Sequence, residues 1–332
     1  MREKSFNKER WAAVSRKYSI FLVLVALFLV CSIINPNFLT WTNLTNISRQ
    51  LAVTTILAFG ETILIVCGLL DLSSGSVIAL AGTLSVAAFK ASGNLFFAFL
   101  VGVVLAVVCN ALNGVMVTTF KAPAFIATLA MQTMARGAAL LYTSGQNIYQ
   151  LGDYIVFGQG SIGPVPTPVI FLLLIFLVTW YVLSNTRFGR SLYAIGGNES
   201  AAIASGIAVN RVKMWAYLVN GIFVGIAAVL FMSRVNTGLP NGAQGYEFEA
   251  LTATVIGGTS MSGGIGTAGG TLIGAFIVGF LNNIMNLTNV DSYLQQIVRG
   301  LIIALAVIYD IFAKTNRTKR RLGNIEDQKQ TK

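Results

Sequence analysis

Histidine is absent from this 332-residue chain, and charge is scarce: only 11% of residues are Asp, Glu, Lys or Arg. Without histidine there can be no Ser–His or Cys–His dyad and no imidazole ligand for a metal. A soluble domain carries roughly a quarter charged residues, so this chain has too little charge to cover a water-exposed surface. No lysine follows a glycine, which removes the phosphate-cradling loop G-x-x-x-x-G-K-[ST] and ATP hydrolysis by this chain alone. No paired-carboxylate motif stands within an apolar run. Cysteine numbers three, and Cys31, Cys67 and Cys109 all lie inside apolar runs at no metal-ligand spacing; they read as core thiols. The expectation is a chain that is not an enzyme and binds no cofactor or metal.

What the chain does have is oil. It is 55% hydrophobic, and runs such as Ile20 to Ile34 and Val169 to Leu183 carry no charge. With their flanks these approach the roughly 20 apolar residues that a bilayer core requires. The fold class is therefore an all-α polytopic membrane protein. Spans are expected near 18–35, 47–68, 74–90, 95–119, 123–141, 167–184, 214–234, 251–265, 267–287 and 296–313, ten in all, the third and eighth short and rich in Gly and Ser. The first run is long, and NPNFLTWTN after it lacks a small-residue cleavage site, so it reads as a span rather than a signal.

The net charge of +11 raises nucleic-acid binding, but its distribution points to the membrane. Basic residues cluster at Arg2 to Lys17, at Arg187 to Lys213 and at Lys314 to Arg321, and such clusters stay cytoplasmic. Both termini are thus expected inside. The organisation that follows is a cytoplasmic segment 1–17, one membrane domain 18–313 with a cytoplasmic loop about 185–213, and a basic cytoplasmic tail 314–332. The segments 142–168 and 236–249 then face outward. Lipid is a partner and nucleic acid is not.

Ionisable groups at membrane depth are costly and are functional candidates by default; here they are Glu61, Asp71 and Arg136. Asp71 opens D-L-S-S-G-S, a candidate helix break beside a polar pathway with Ser73, Ser74 and Gly75. It reads equally as a helix cap near the inner surface, and the span assignment favours the cap. Asn110, Asn113, Thr128, Gln132 and Asn220 are neutral polar residues within spans. Each suits helix–helix hydrogen bonding; as a set they suit a hydroxylated solute in transit. The pattern G-x4-S-x-G occurs at Gly68/Ser73/Gly75 and again at Gly257/Ser262/Gly264, with Gly258 beside the second. This hints at an internal repeat with glycine-broken helices.

One polar stretch interrupts the oil: GRSLYAIGGNESAAIASGI, Gly189 to Ile207. Asn198 is a good N-cap, Glu199 suits the positive end of a helix dipole, and Gly206 is placed for a left-handed stop. The product is a short helix with a small-residue face of Ala201, Ala202, Ala204 and Ser205. It lacks the moment of a helix lying in the membrane plane and reads as a docking element for another protein.

YAIGGNESAAIASGIAVNRVK, with GYEFEALTATVIGGTSMSGGIGTAGGTLIGAF and NNIMNLTNVDSYLQQIVRGLIIALAV, closely resembles the permease subunits of bacterial sugar ABC importers of the ribose type. GLLDLSSGS and NGVMVTTFKAPAFIATLAMQTMARG fit the same pattern, so the resemblance covers roughly residues 20 to 312. It implies an inner-membrane permease whose two copies form the pathway for a sugar, a separate cytoplasmic ATPase that carries ATP and Mg²⁺, and an extracytoplasmic sugar-binding protein. It also makes Asn198, Glu199, Ala201, Ala202, Gly206 and Ile207 the coupling helix seated in that ATPase. Two stretches depart from the family pattern. It usually reads G-G-I-D-L-S-V-G-S where this chain has Gly68 to Ser76, and A-A-V-V-I-G-G-T where it has Thr252 to Thr259. The rival readings are an ion-coupled secondary transporter, with Glu61 or Asp71 on a relay, and a membrane scaffold that moves nothing.

Overall fold

The computed structural model describes residues 20–305, 307–308 and 312; the expected segments 1–17 and 314–332 lie outside them. In chain order the helices are α1 (Ile20–Ile34), α2 (Trp41–Val66), α3 (Ser74–Ser92), α4 (Leu95–Thr118), α5 (Ala124–Thr143), α6 (Val156–Gln159), α7 (Thr167–Asn185) and α8 (Arg187–Gly197). They continue with α9 (Glu199–Ala204), α10 (Val209–Val235), α11 (Tyr246–Ile256), α12 (Ala268–Leu287) and α13 (Ser292–Leu305). A two-residue hairpin, β1 (Ser161–Ile162) with β2 (Val165–Pro166), decorates one loop. Seven helices, α2 to α5, α7, α10 and α12, are long and apolar enough to cross a membrane. The architecture is an all-α polytopic membrane bundle.

The apolar pattern of each helix decides its place. In α2 every residue from Leu51 to Val66 is buried, as expected of a helix apolar on all sides. It and α10 form the centre. On α4, by contrast, Phe96, Leu100, Val104, Val108 and Leu112 recur every fourth residue and are exposed, a stripe that suits lipid and would be a liability in water. The opposite face of α4 carries Gly102, Ala106, Asn110 and Asn113 and is buried. There α10 comes very close: a β-carbon on Gly225 would lie 2.5 Å from Val103 Cα, and one on Gly221 2.8 Å from Val107 Cα. This is the small-x3-small packing that membrane helices use in place of hydrophobic collapse.

The bundle has two chemically distinct ends. At one, the loops 144–166 and 236–245 meet through a bridge between Ile148 and Gly238, and Lys90 Nζ donates to the Tyr149 carbonyl. At the other lie α8 and α9, where Lys121 Nζ donates to Asn210 Oδ1.

The structure corrects several expectations. The span expected at 251–265 is not one helix. α11 starts earlier, at Tyr246, and ends at Ile256, because the glycine-dense IGGTSMSGGIG costs about 1 kcal/mol per Gly in a helix. The chain there turns through left-handed Gly258, Gly263 and Gly264. Tyr246 to Glu249 therefore leave the expected outward loop and join α11. α2 and α10 begin at Trp41 and Val209 rather than 47 and 214, since Thr40 caps α2 by accepting from Asn43 N. The loop expected at 142–168 holds α6 and the hairpin, and α8 occupies part of the loop expected at 185–213.

Candidate functional site

Two breaks organise the interior. After α2 the chain runs irregularly from Cys67 to Ser73 before α3, and after α11 it runs from Gly257 to Thr267 before α12. They meet: Gly264 N donates to the Val66 carbonyl at 2.9 Å. The end of α8 seats on the same spot. A β-carbon on Gly196 would collide with the Val66 carbonyl oxygen and lie 2.6 Å from Gly264 N, and one on Gly264 would lie 2.9 Å from Gly197 Cα. Three backbones thus touch with no side chain between them. Tyr193 Oη adds a hydrogen bond to the Gly266 carbonyl at 2.7 Å; burial raises the phenol's pKa, so it remains a donor.

Only Asn198 separates α8 from α9. Its side chain accepts from Ala201 N at 3.0 Å, the N-cap expected from sequence, and Gly206 ends the turn at φ +81°. Glu199 pairs with Lys213 of α10 at 2.9 Å, tying α9 to the bundle. Ala201, Ala204 and Ser205 are exposed as expected, and Ile207 is half-buried. Ala202 is not on that face: it is buried against the bundle. The missed residue is Ile203, 59% exposed, an apolar side chain presented outward from an otherwise small-residue surface.

The first break is held by side chains. Asp71 is fully buried and accepts from Ser73 N at 2.8 Å, from Ser73 Oγ, and from Asn220 Nδ2 at 2.9 Å. Asn220 also donates to Asn110 Oδ1 at 2.9 Å, and Asn113 Nδ2 donates to Ser73 Oγ at 3.1 Å. Asp71 N donates to Glu61 Oε2 at 3.3 Å. One network therefore joins α2, the break, α4 and α10. The expected cap at the inner surface is a correction: α3 begins at Ser74 with no side-chain cap, and the carboxylate turns inward to the amides of Asn220 and Ser73 instead. Among the described residues neither Asp71 nor Glu61 has a cationic partner.

The other candidates divide. Thr128 bonds only the carbonyls of Ala124 and Phe125 in its own helix and stays apart from the network. Gln132 Nε2 reaches Glu247 Oε1 at 3.2 Å. Ser74 is buried, and Gly75 lets α11 close in, since a β-carbon there would collide with Glu247 Oε2. Gly257 packs on the start of α12, 2.5 Å from Gly270 O by the same measure, while Gly258 and the exposed Ser262 lie on the second break. Sequence reading missed Glu247 and Glu249, buried on α11. Two carboxylates just before an apolar run were the available signal. Among the described residues no group of three or more His, Cys, Asp or Glu is placed to hold a metal.

Residues 43–307 match the family described as the branched-chain amino acid transport system permease component. The ribose import permease of Bacillus subtilis is 41% identical over 300 residues, covering 90% of this chain and 93% of that one. The ribose import permease of Escherichia coli K12 is 40% identical over 312 residues, 92% and 96% of the two chains. The D-allose transport system permease of the same bacterium is 33% identical over 311 residues, 93% and 94%. No solved structure matches the chain. A polytopic bundle with no phosphate loop and two joined helix breaks, matched nearly end to end by such permeases, belongs to this transport-system permease family as a membrane subunit of ABC importers rather than as an enzyme.

Proposed function

We propose that the chain forms the translocation pathway for a monosaccharide, ribose or a close relative, and that a separate ATPase binds the ATP and Mg²⁺ and supplies the work. The cargo class is supported by relatives named for ribose, D-allose and L-arabinose, with identity higher to the ribose permeases than to the other two. In this reading one membrane domain, 18–313, crosses the bacterial inner membrane ten times, with α1, α11 and α13 added to the seven long helices. Both termini and the loop 185–213 lie in the cytoplasm. A second copy completes the pathway, lipid surrounds it, and a sugar-binding protein delivers cargo at the end formed by loops 144–166 and 236–245. The two glycine-bearing breaks, each between a buried helix and the next, support the internal repeat.

Asn198, Glu199, Ala201, Ala202, Gly206 and Ile207 form the coupling element, with Ile203 as its apolar contact. The observation that carries this reading is the backbone junction of Gly196, Val66 and Gly264. Close-packed backbone transmits displacement rather than absorbing it, so a shift of α9 reaches both breaks through α8. The ATPase must bind α9 differently in its two states, or no work passes. Asp71, Ser73, Ser74, Gly75, Asn110, Asn113 and Asn220 then hold the first break, Gly257, Gly258 and Ser262 shape the second, and Gln132 borders the pathway.

Proteoliposomes holding the permease, its ATPase and labelled ribose test this. Removal of residues 199–204 is expected to abolish ATP-dependent uptake; uptake that persists contradicts the lever. Uptake without ATP that collapses with an uncoupler would instead favour ion coupling through Glu61 or Asp71.

A further inference from the structure

A groove of about 610 Å³ opens between α3, α5, the end of loop 236–245 and the start of α11, within the roughly 300–1,000 Å³ span of small-ligand sites. On α5 it is lined by Gln132, Thr133, Arg136 and Gly137 at i, i+1, i+4 and i+5. Such a face is costly against lipid and belongs against water or a partner. The ring of Phe248 borders it, 45% exposed.

The polar groups here have capacity to spare. Arg136 Nη1 donates to the Pro240 and Gly242 carbonyls, both at 2.8 Å, which fixes the guanidinium and leaves Nη2 and Nε without an acceptor among the described residues. Gln132 spends its amide nitrogen on Glu247 and keeps its carbonyl oxygen free among the described residues. Gln244 is exposed, with its whole amide uncommitted among the described residues. A second cavity of about 310 Å³, among α11, α12 and α13, shares Gln244 and Phe248 with the groove but differs in its charged groups. Its charged groups consume one another: Glu249 Oε1 accepts from Arg299 Nη1 at 2.9 Å and from Asn282 Nδ2 at 3.3 Å.

A pyranose or furanose ring offers an apolar C–H face and a rim of hydroxyls that donate and accept. An exposed aromatic ring beside planar amides and a guanidinium complements both. We propose that Phe248, Gln132, Gln244 and Arg136 form a transit station for one monosaccharide, the ring resting on Phe248 and its hydroxyls on the three planar groups. This rests on the sugar-permease reading and names where in the chain the cargo is touched. Arg136 doubles as the strut of the 240–242 turn, so the informative positions are Phe248 and Gln244.

The test uses the complete complex of permease, ATPase and binding protein in proteoliposomes, with labelled D-ribose, L-arabinose and D-allose as probes. Uptake, ATP hydrolysis stimulated by the loaded binding protein, and the melting midpoint are read together. Phe248→Ala and Gln244→Ala are each expected to cut uptake of the imported sugar about tenfold, the scale of one lost aromatic contact. Stimulated hydrolysis and melting should stay unchanged, and Phe248→Tyr should restore uptake. Uptake by Phe248→Ala at the unmodified rate overturns the station, as does loss of stimulated hydrolysis in parallel with uptake, which marks a coupling role. If the unmodified complex hydrolyses ATP yet imports none of the three sugars, the cargo reading fails first and takes the station with it.

Discussion

The two helix breaks do the same topological job with different balances of side chain and backbone. The break after α2 is buried and pinned by side chains, with Asp71 accepting from Ser73 and Asn220 and Asn113 reaching across from α4. The break after α11 takes more of its shape from backbone: left-handed Gly258, Gly263 and Gly264, the Ser260 N to Ile265 O turn at 3.0 Å, and the Gly264 to Val66 hydrogen bond, beside the side-chain bonds of Ser260 Oγ with Ser262 N and of Tyr193 Oη with the Gly266 carbonyl. A side-chain network fixes one geometry, because each buried donor left unpaired costs about 1–3 kcal/mol. A glycine turn bonded through its own backbone has less to lose on rearrangement. In the proposed lever the first break is the fixed wall and the second the hinge that α8 pushes against.

Substitutions can break or sharpen that contrast. Asp71→Ala leaves Ser73 N and one of the two Asn220 Nδ2 hydrogens without an acceptor in the core, and should destabilise the detergent-solubilised protein by about 3 kcal/mol, read as a drop in melting midpoint. Asn220→Ala removes the bonds to Asp71 and Asn110 and should cost about 1–2 kcal/mol. Gly60→Ala puts a methyl against Asn220 Oδ1, so its penalty should shrink in the Asn220→Ala background; additive costs would deny that contact. At the small end, Ser262→Ala, at an exposed position of the second break, should stay within about 0.5 kcal/mol. A large loss there would mean that the Ser262 hydroxyl also holds the second break.

Much of this was legible before the fold was known. The α9 cap and stop were readable because Asn198 and Gly206 act through local backbone geometry. Asp71, Asn110, Asn113 and Asn220 could be singled out by the cost of polarity at membrane depth. Their convergence could not, because it depends on how α10 crosses α4 through Gly221 and Gly225. Thr128 looked like its neighbours in sequence but satisfied itself within α5. The length of α11 and the burial of Glu247 and Glu249 are hidden from the sequence for one reason. Hydropathy averages over a window, and the two carboxylates lowered it at a helix start that tertiary packing supplies. Phe248 gave no sign, since an aromatic residue beside an apolar run reads as core.

Adjacent glycines at the end of α8 give the most direct test. A β-carbon at Gly196 meets the Val66 carbonyl and Gly264, while one at Gly197 meets nothing within 4 Å. With the ATPase and binding protein in proteoliposomes, Gly196→Ala should uncouple ATP hydrolysis from sugar uptake, and Gly197→Ala should transport as the unmodified protein does. Equal transport by the two variants would contradict a drive that runs through that backbone junction.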